Sequence, residues 1–267
     1  MPILKEYLNS NFSTPQILKN KYVGSDALII GTGNSTSKLI QYKDKLKKKF
    51  GVIIGLNFST KNFEDIMDYR LIVEKKADSF VADLNGRSYR KDLIHIINWK
   101  GINNYPPDIP KIKTTRSNFD FKPNIREYRW HDNEGLLIGP TDSIGLSAGS
   151  VSCQGLHLAC IMGARNVYLI GADLMFSGST DHYYGGNYYA NSKTKLANRS
   201  PFVEVEKNGV KYRSTELFRE SAKFIDKVII DYCRPAGIEV YDFSDGLILK
   251  ANKPNIDIFM KDDRLHG

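Results

Sequence analysis

Short, nearly continuous apolar runs alternate with amphipathic stretches along this chain, the pattern of buried parallel strands covered by helices. Ala27-Leu28-Ile29-Ile30 is a β-prone run that ends in Gly31-Thr32-Gly33-Asn34-Ser35, after which Leu39, Tyr42, Leu46 and Phe50 mark an amphipathic helix over residues 37–50. Val52-Ile53-Ile54-Gly55-Leu56-Asn57 and Phe80-Val81-Ala82-Asp83 read as a second and a third strand, and residues 125–131 and 136–138 as further short ones. Residues 102–124, rich in Pro, Asn, Lys and Asp, read as a loop. Gly149-Ser150-Val151 opens a segment running to Met162 that is apolar nearly all round, and it feeds Asn166-Val167-Tyr168-Leu169-Ile170-Gly171, the clearest strand of the sequence. Residues 176–213 are polar and rich in Tyr and Gly, far longer than the usual connection of ~2–6 residues, and read as a functional loop or lid. Residues 216–232 form a strong amphipathic helix stopped by Pro235 and Gly237, and residues 238–243 a last strand.

This order predicts an α/β fold, a Rossmann-like, mostly parallel sheet with helices on both faces. The expected organisation is a helical N-terminal extension over 1–24, one nucleotide-binding domain over 25–260 with the inserted loop or lid at about 176–213, and a tail over 261–267.

Composition narrows the class. The chain has 267 residues, 41% hydrophobic and 25% charged, with 21 Gly and 3 Cys, which excludes a disordered, collagen-like or disulfide-scaffold protein. Cys153, Cys160 and Cys233 show no paired spacing, so neither a disulfide framework nor a zinc site is suggested, and a cytoplasmic location is the simplest reading. No apolar run approaches the ~18 residues of a membrane span, which predicts no integral membrane segment. The net charge of +8 raises the question of a nucleic-acid partner. However, the first 100 residues hold 17 basic and 10 acidic side chains and the remainder 21 and 20. The excess centres on residues 43–49, the polar face of one helix and no basic stripe with interleaved aromatics, so no nucleic-acid partner is expected; a homo-oligomer is left open.

Three segments carry candidate chemistry. Gly31, Thr32, Gly33, Asn34 and Ser35 lie between a strand and a helix start, where backbone N–H groups and the helix dipole favour a phosphate; the plainer reading is tight strand-helix packing. The turn lacks the third glycine of a dinucleotide fingerprint and the Lys-Ser/Thr pair of a P-loop. Gly145-Leu146-Ser147-Ala148-Gly149 matches the nucleophile elbow of hydrolases, but its preceding strand is weak, and a small-residue turn with Gly149, Ser150 and Ser152 facing a ligand suits it better. Asp173 ends the clearest strand, where open α/β sheets bind ligands, its alternative being a capping role. His182, in the loop with Tyr183 and Tyr184, has the near-neutral pKa of a general acid or base. His95 and His157 sit in apolar segments and read as core or boundary residues; His131 and His266 are weaker still.

Taken together, Gly31-Thr32-Gly33-Asn34-Ser35, Gly149-Ser150-Val151 and Gly163-Ala164-Arg165-Asn166-Val167-Tyr168-Leu169-Ile170-Gly171-Ala172-Asp173-Leu174 resemble the superfamily of MptE-like 6-hydroxymethylpterin diphosphokinases and motility-accessory-factor glycosyltransferases. The set is also similar to bacterial CMP-sialic-acid sialyltransferases. The resemblance implies nucleotide contacts from Gly31, Gly33, Ser35 and Asn57, further contacts from Ser150 and Ser152, and a ligand contact from Asp173. Asp83 matches the acidic position of the MptE-like branch. Thr32 stands where sialyltransferases place Asn, and Gly186 where they place the base, leaving His182 to serve.

The expected function is a sialyltransferase-like glycosyltransferase that takes a nucleotide-sugar donor, a CMP-linked nonulosonate, and a glycan or small-molecule acceptor. His182 and Asp173 would be catalytic, Tyr183 and Tyr184 would hold substrate, and no cofactor or metal would be required. The alternatives are a diphosphokinase acting on a pterin-like alcohol, with Mg²⁺ held by Asp83 and Asp173, and a non-catalytic nucleotide- or glycan-binding protein.

Overall fold

A computed structural model describes residues 18–57, 60–72, 90, 92–97, 111–113, 150–176 and 201–262. Seven strands form one parallel sheet: β1 (Asp26–Ile30), β2 (Val52–Leu56), β3 (Tyr69–Ile72), β4 (Ile94–Ile97), β5 (Lys111–Lys113), β6 (Asn166–Ile170) and β9 (Glu239–Asp242). Their order across the sheet is β5-β4-β3-β2-β1-β6-β9. The chain therefore steps outward from β1 to one edge, then returns to lay β6 against the other side of β1 and β9 beyond it.

Alternation along each strand divides the core into two layers. Ala27, Ile29, Val52, Ile54, Val167 and Leu169 face a layer covered by α3 (Val151–Ile161) and α4 (Glu216–Val228). Leu28, Ile30, Ile53, Tyr168 and Ile170 face the opposite layer, where Leu39 and Leu46 of the segment after β1 and Ile256 and Met260 of α5 (Ile256–Lys261) pack. Burial on both faces accounts for the unbroken apolar runs that made β1, β2 and β6 legible.

Several elements differ from their predicted form. The helix expected over 37–50 is a 3-10 helix (Asn34–Tyr42) followed by α1 (Lys43–Lys49). The Ser/Thr-rich start gives its hydroxyls to the backbone, Thr36 Oγ1 to Gly31 O and Ser37 Oγ to Asn34 O, which competes with regular helical bonding. The polar run of α1 is not all solvated: Lys49 is buried and its ammonium donates to Phe259 O and Asp262 O, at 2.6 and 2.8 Å. The third strand is Tyr69–Ile72, preceded by the short helix α2 (Thr60–Phe63), while Phe80 to Asp83 lie outside the described residues. Residues 111–113, inside the segment read as a loop, pair with β4 as β5. The strands expected at 125–131 and 136–138 and the Gly145 to Gly149 turn lie outside the described residues.

The stretch 176–213 ends in an antiparallel hairpin, β7 (Phe202–Lys207) and β8 (Val210–Thr215). Asn208 and Gly209 both have positive φ, 54° and 74°, the pair of left-handed residues that a two-residue hairpin turn needs. Thr215 closes β8 and caps α4, its hydroxyl accepting from Phe218 N at 3.2 Å. The helix expected over 216–232 runs as α4 and finishes in a π turn (Ile229–Cys233).

Candidate functional site at the carboxyl ends of β1 and β6

The strand order reverses direction between β1 and β6. The segments attached to these neighbours leave toward opposite faces, the 3-10 helix and α1 toward one and α3 toward the other. A crevice at the carboxyl ends follows, the place where open α/β sheets hold ligands. The residues leaving β1 (Gly31 to Ser35) and those leaving β6 (Gly171 to Met175) meet there.

The two segments interlock. Gly31 N donates to Ile170 O at 2.7 Å and Gly33 N to Gly171 O at 3.0 Å. Ser35 Oγ accepts from Gly171 N at 3.0 Å and donates to Asp173 Oδ1, while Ser35 N donates to Asp173 Oδ2 at 3.0 Å. Asp173 is 5% exposed, so its carboxylate is turned inward as the acceptor that holds the glycine turn. The backbone could not approach so closely with side chains present. A Cβ on Gly33 would lie 2.7 Å from Asp173 Cγ, and one on Gly171, whose φ is +72°, would lie 2.1 Å from Thr36 Oγ1. The amides of Gly31, Gly33 and Ser35 thus donate within the protein, and the partly exposed face of the turn is made by Thr32, Gly33 and Asn34.

A second layer of charge lies against this turn. Leu247 N donates to Asp173 O at 3.0 Å, bringing the turn after β9 onto the β6 strap. Asp242, also buried, accepts from Ser244 N at 2.9 Å, from Ser244 Oγ and from Lys253 Nζ. Lys38, on the 3-10 helix, pairs with Asp245 at 2.5 Å, and Lys207, the last residue of β7, donates to Asp245 O at 2.6 Å and Gly246 O at 2.9 Å. The strap residue Leu174 has φ 55°, an unfavourable conformation for a bulky side chain, and is held by Ser214 Oγ donating to its carbonyl at 2.6 Å. Strain of this kind persists where the surroundings over-determine it, and clusters at working sites.

Burial pushes the Asp173 and Asp242 carboxyls above their ordinary value; the Ser35 bonds oppose this at Asp173 and the Lys253 ammonium at Asp242. The hydrogen bond from Lys38 draws Asp245 down, and burial lowers Lys207, with Lys253 adding to it. As pH rises from the ordinary carboxyl value of 3.8, the unfolded chain releases its protons first, so a raised carboxyl withdraws stability as pH climbs through its folded value. The stability of the wild type relative to Asp242→Asn is therefore expected to be most favourable near about pH 4 and to decline toward about pH 7. Urea unfolding across that range checks this, and a difference that grows with pH would contradict it.

The remaining predicted residues are spread around the same edge. Asn57 follows β2 with φ 47°, and its carbonyl accepts from the Nε of the fully buried Arg70 at 3.0 Å. Ser150 caps α3, accepting from Ser152 N at 3.2 Å, and Ser152 is buried; α3, as the crossover before β6, begins at the carboxyl edge. Asp83, Gly149, His182, Tyr183 and Tyr184 lie outside the described residues. His95 and His157 are buried, as their apolar neighbours imply. Among the described residues, no group of three His, Cys, Asp or Glu side chains is placed to hold a metal ion, and no helix is long and apolar enough to cross a membrane. Sequence reasoning gave no role to Lys38, Lys207, Asp242, Ser244 or Lys253. The Asp242-Phe243-Ser244-Asp245-Gly246 string, polar residues and glycine closing a strand at the sheet edge, is the signal that points to Asp242 and Ser244; the lysines lie outside it.

No protein-family model matches the chain, and no curated protein does. Among solved structures it is similar to the MAf glycosyltransferase from Magnetospirillum magneticum AMB-1, with a TM-score of 0.57 and 17% identity. The likeness is one of fold. It covers 94% of this chain and 38% of that one, so the chain spans less than two-fifths of the length of that protein.

Proposed function

We propose that this chain is a glycosyltransferase that uses a nucleotide-activated sugar, with the nucleotide seated in the crevice between β1 and β6. The observation that carries this reading is the reversal of strand order at β1/β6, with the Thr32 to Asn34 face, the α3 N-terminus and the Asp245-Gly246 turn contacted by Lys38 and Lys207 at the same carboxyl edge. The shared fold with a MAf glycosyltransferase supports it. A CMP-linked nonulosonate is the donor class we favour, on the sequence resemblance.

In this scheme His182 takes the proton of the acceptor hydroxyl, whose oxygen attacks the anomeric carbon of the donor sugar. The bond to the nucleotide phosphate breaks with its electron pair, and donors at the crevice receive the charge that develops there. Tyr183 and Tyr184 contact the sugar or acceptor, and Asp173 acts as a positioning residue through Ser35. Both oxygens of Asp173 are engaged by Ser35, which disfavours the kinase alternative, where that carboxylate would hold Mg²⁺.

Thermal unfolding with CMP, CDP, ATP and GTP, each with and without Mg²⁺, tests the reading. CMP is expected to raise the midpoint independently of metal; stabilisation by ATP alone, and only with Mg²⁺, would reverse the choice. Once a turnover assay exists, His182→Ala is expected to lose about 10²–10⁴ in kcat, and retained turnover would remove the assigned base.

A further inference from the structure

Among the described residues, the amides of Gly31, Gly33 and Ser35 are not free to cradle a phosphate, because they already donate to Ile170 O, Gly171 O and Asp173. A phosphate ester entering here must be recognised by other donors. Two lysines flank the turn. Lys38 projects from the 3-10 helix that the turn opens, and Lys207 reaches across from the hairpin tip; both converge on the Asp245-Gly246 turn that rests on Asp173. We propose that Lys38 and Lys207 recognise the phosphate of an ester bound in this crevice, with Asp245 as the counter-anion that the phosphate displaces.

The pattern of hydrogen-bond partners identifies these residues. Asp173 is engaged by Ser35, and Asp242 by Lys253 and Ser244. Lys207 instead donates to two neutral carbonyls; among the described residues no carboxylate hydrogen-bonds its ammonium, although Asp245, Asp242 and Asp173 lie near enough to favour its charged form. Its ammonium is partly desolvated and lies near Lys253, which lowers its pKa; an arriving anion favours the charged form against both effects. Lys38 is held by Asp245, whose side chain is 81% exposed, and an ion pair that exposed is weak enough to be exchanged. With Asp245 swung into solvent, two ammonium groups face the crevice, and a phosphate offers each a charge-assisted bond. The same contact would make the hairpin a wall of the site, since Lys207 ties its tip to the turn below.

This inference rests on the donor reading for the identity of the ester but not for the anion site itself, and the test separates the two. Calorimetric titration at low salt compares CMP, cytidine and inorganic phosphate on the full chain and on Lys207→Met and Asp245→Asn. Lys207→Met is expected to weaken CMP by about tenfold or more and to leave cytidine unchanged. Asp245→Asn, at an exposed side chain whose loss leaves the fold intact, is expected to tighten CMP by about two- to fivefold. If the wild type binds CMP and both variants match it, the lysine site is wrong and the donor reading stands. If no nucleotide binds but inorganic phosphate binds in a Lys207-dependent way, the donor reading fails and the anion site holds. Absence of both kinds of binding overturns both.

Discussion

Gly171→Ala is expected to lower the unfolding free energy by about 2–5 kcal/mol. A Cβ residue forced to φ +72° costs about 1–2 kcal/mol, and overpacking a filled site about 1–3 kcal/mol more. The added Cβ would lie 2.1 Å from Thr36 Oγ1 and 2.7 Å from Gly31 C, so relief requires the β1 and β6 straps to separate. Typical domains hold only about 5–15 kcal/mol in total, which makes this the largest single-residue effect anticipated here. Gly209→Ala is the control: its φ is +74° but nothing lies within 4 Å of the added Cβ. It should show only the conformational cost, about 1–2 kcal/mol. Urea midpoints for the two variants check the difference; equal losses would mean that the interlock contributes nothing beyond backbone conformation.

Asp173→Asn should be the most damaging isosteric change at the crevice. Ser35 presents two donors, its N–H at 3.0 Å and its hydroxyl, to the two oxygens of one buried carboxylate. An asparagine offers one oxygen and sets an NH₂ against a donor, so a buried bond is lost at about 1–3 kcal/mol. The Thr32 to Asn34 face loses its anchor with it, and donor affinity is expected to fall by about tenfold. Ser35→Ala removes the same link from the other side, because its hydroxyl bridges Gly171 N and Asp173. A double-mutant cycle should therefore show the two changes strongly non-additive, as residues sharing one bond network are. Additive losses would show that Asp173 acts through some other partner.

The sheet centre was legible in the sequence because β1, β2 and β6 are buried on both faces and read as nearly continuous apolar runs rich in Val, Ile and Leu. The edge was less so. Residues 69–72 carry a buried Arg70 that breaks the apolar run, and Lys111–Lys113 is a three-residue strand with lysine at both ends, which gives no hydrophobic signal. The hairpin is hidden by composition, yet Asn208-Gly209 between alternating β-prone residues is the local signature that identifies it. Gly31 to Ser35 and Asp173 read in the sequence as two separate candidate ligand contacts, and the structure makes them partners of each other. That pairing joins residues 138 apart in sequence and could not be read from spacing. Lys38 and Lys207 are hidden for the same reason: they come from two distant elements and meet only at the turn after β9.

Hydrogen exchange of the backbone amides with and without CMP tests the central claim, that the β1/β6 crevice is the nucleotide site. The account predicts slowed exchange at Thr32 and Asn34, at the start of α3 and at the Asp245-Gly246 turn, with the opposite edge of the sheet around Tyr22 and Tyr69 unchanged. Protection confined to that opposite edge, with none at the crevice, would contradict it.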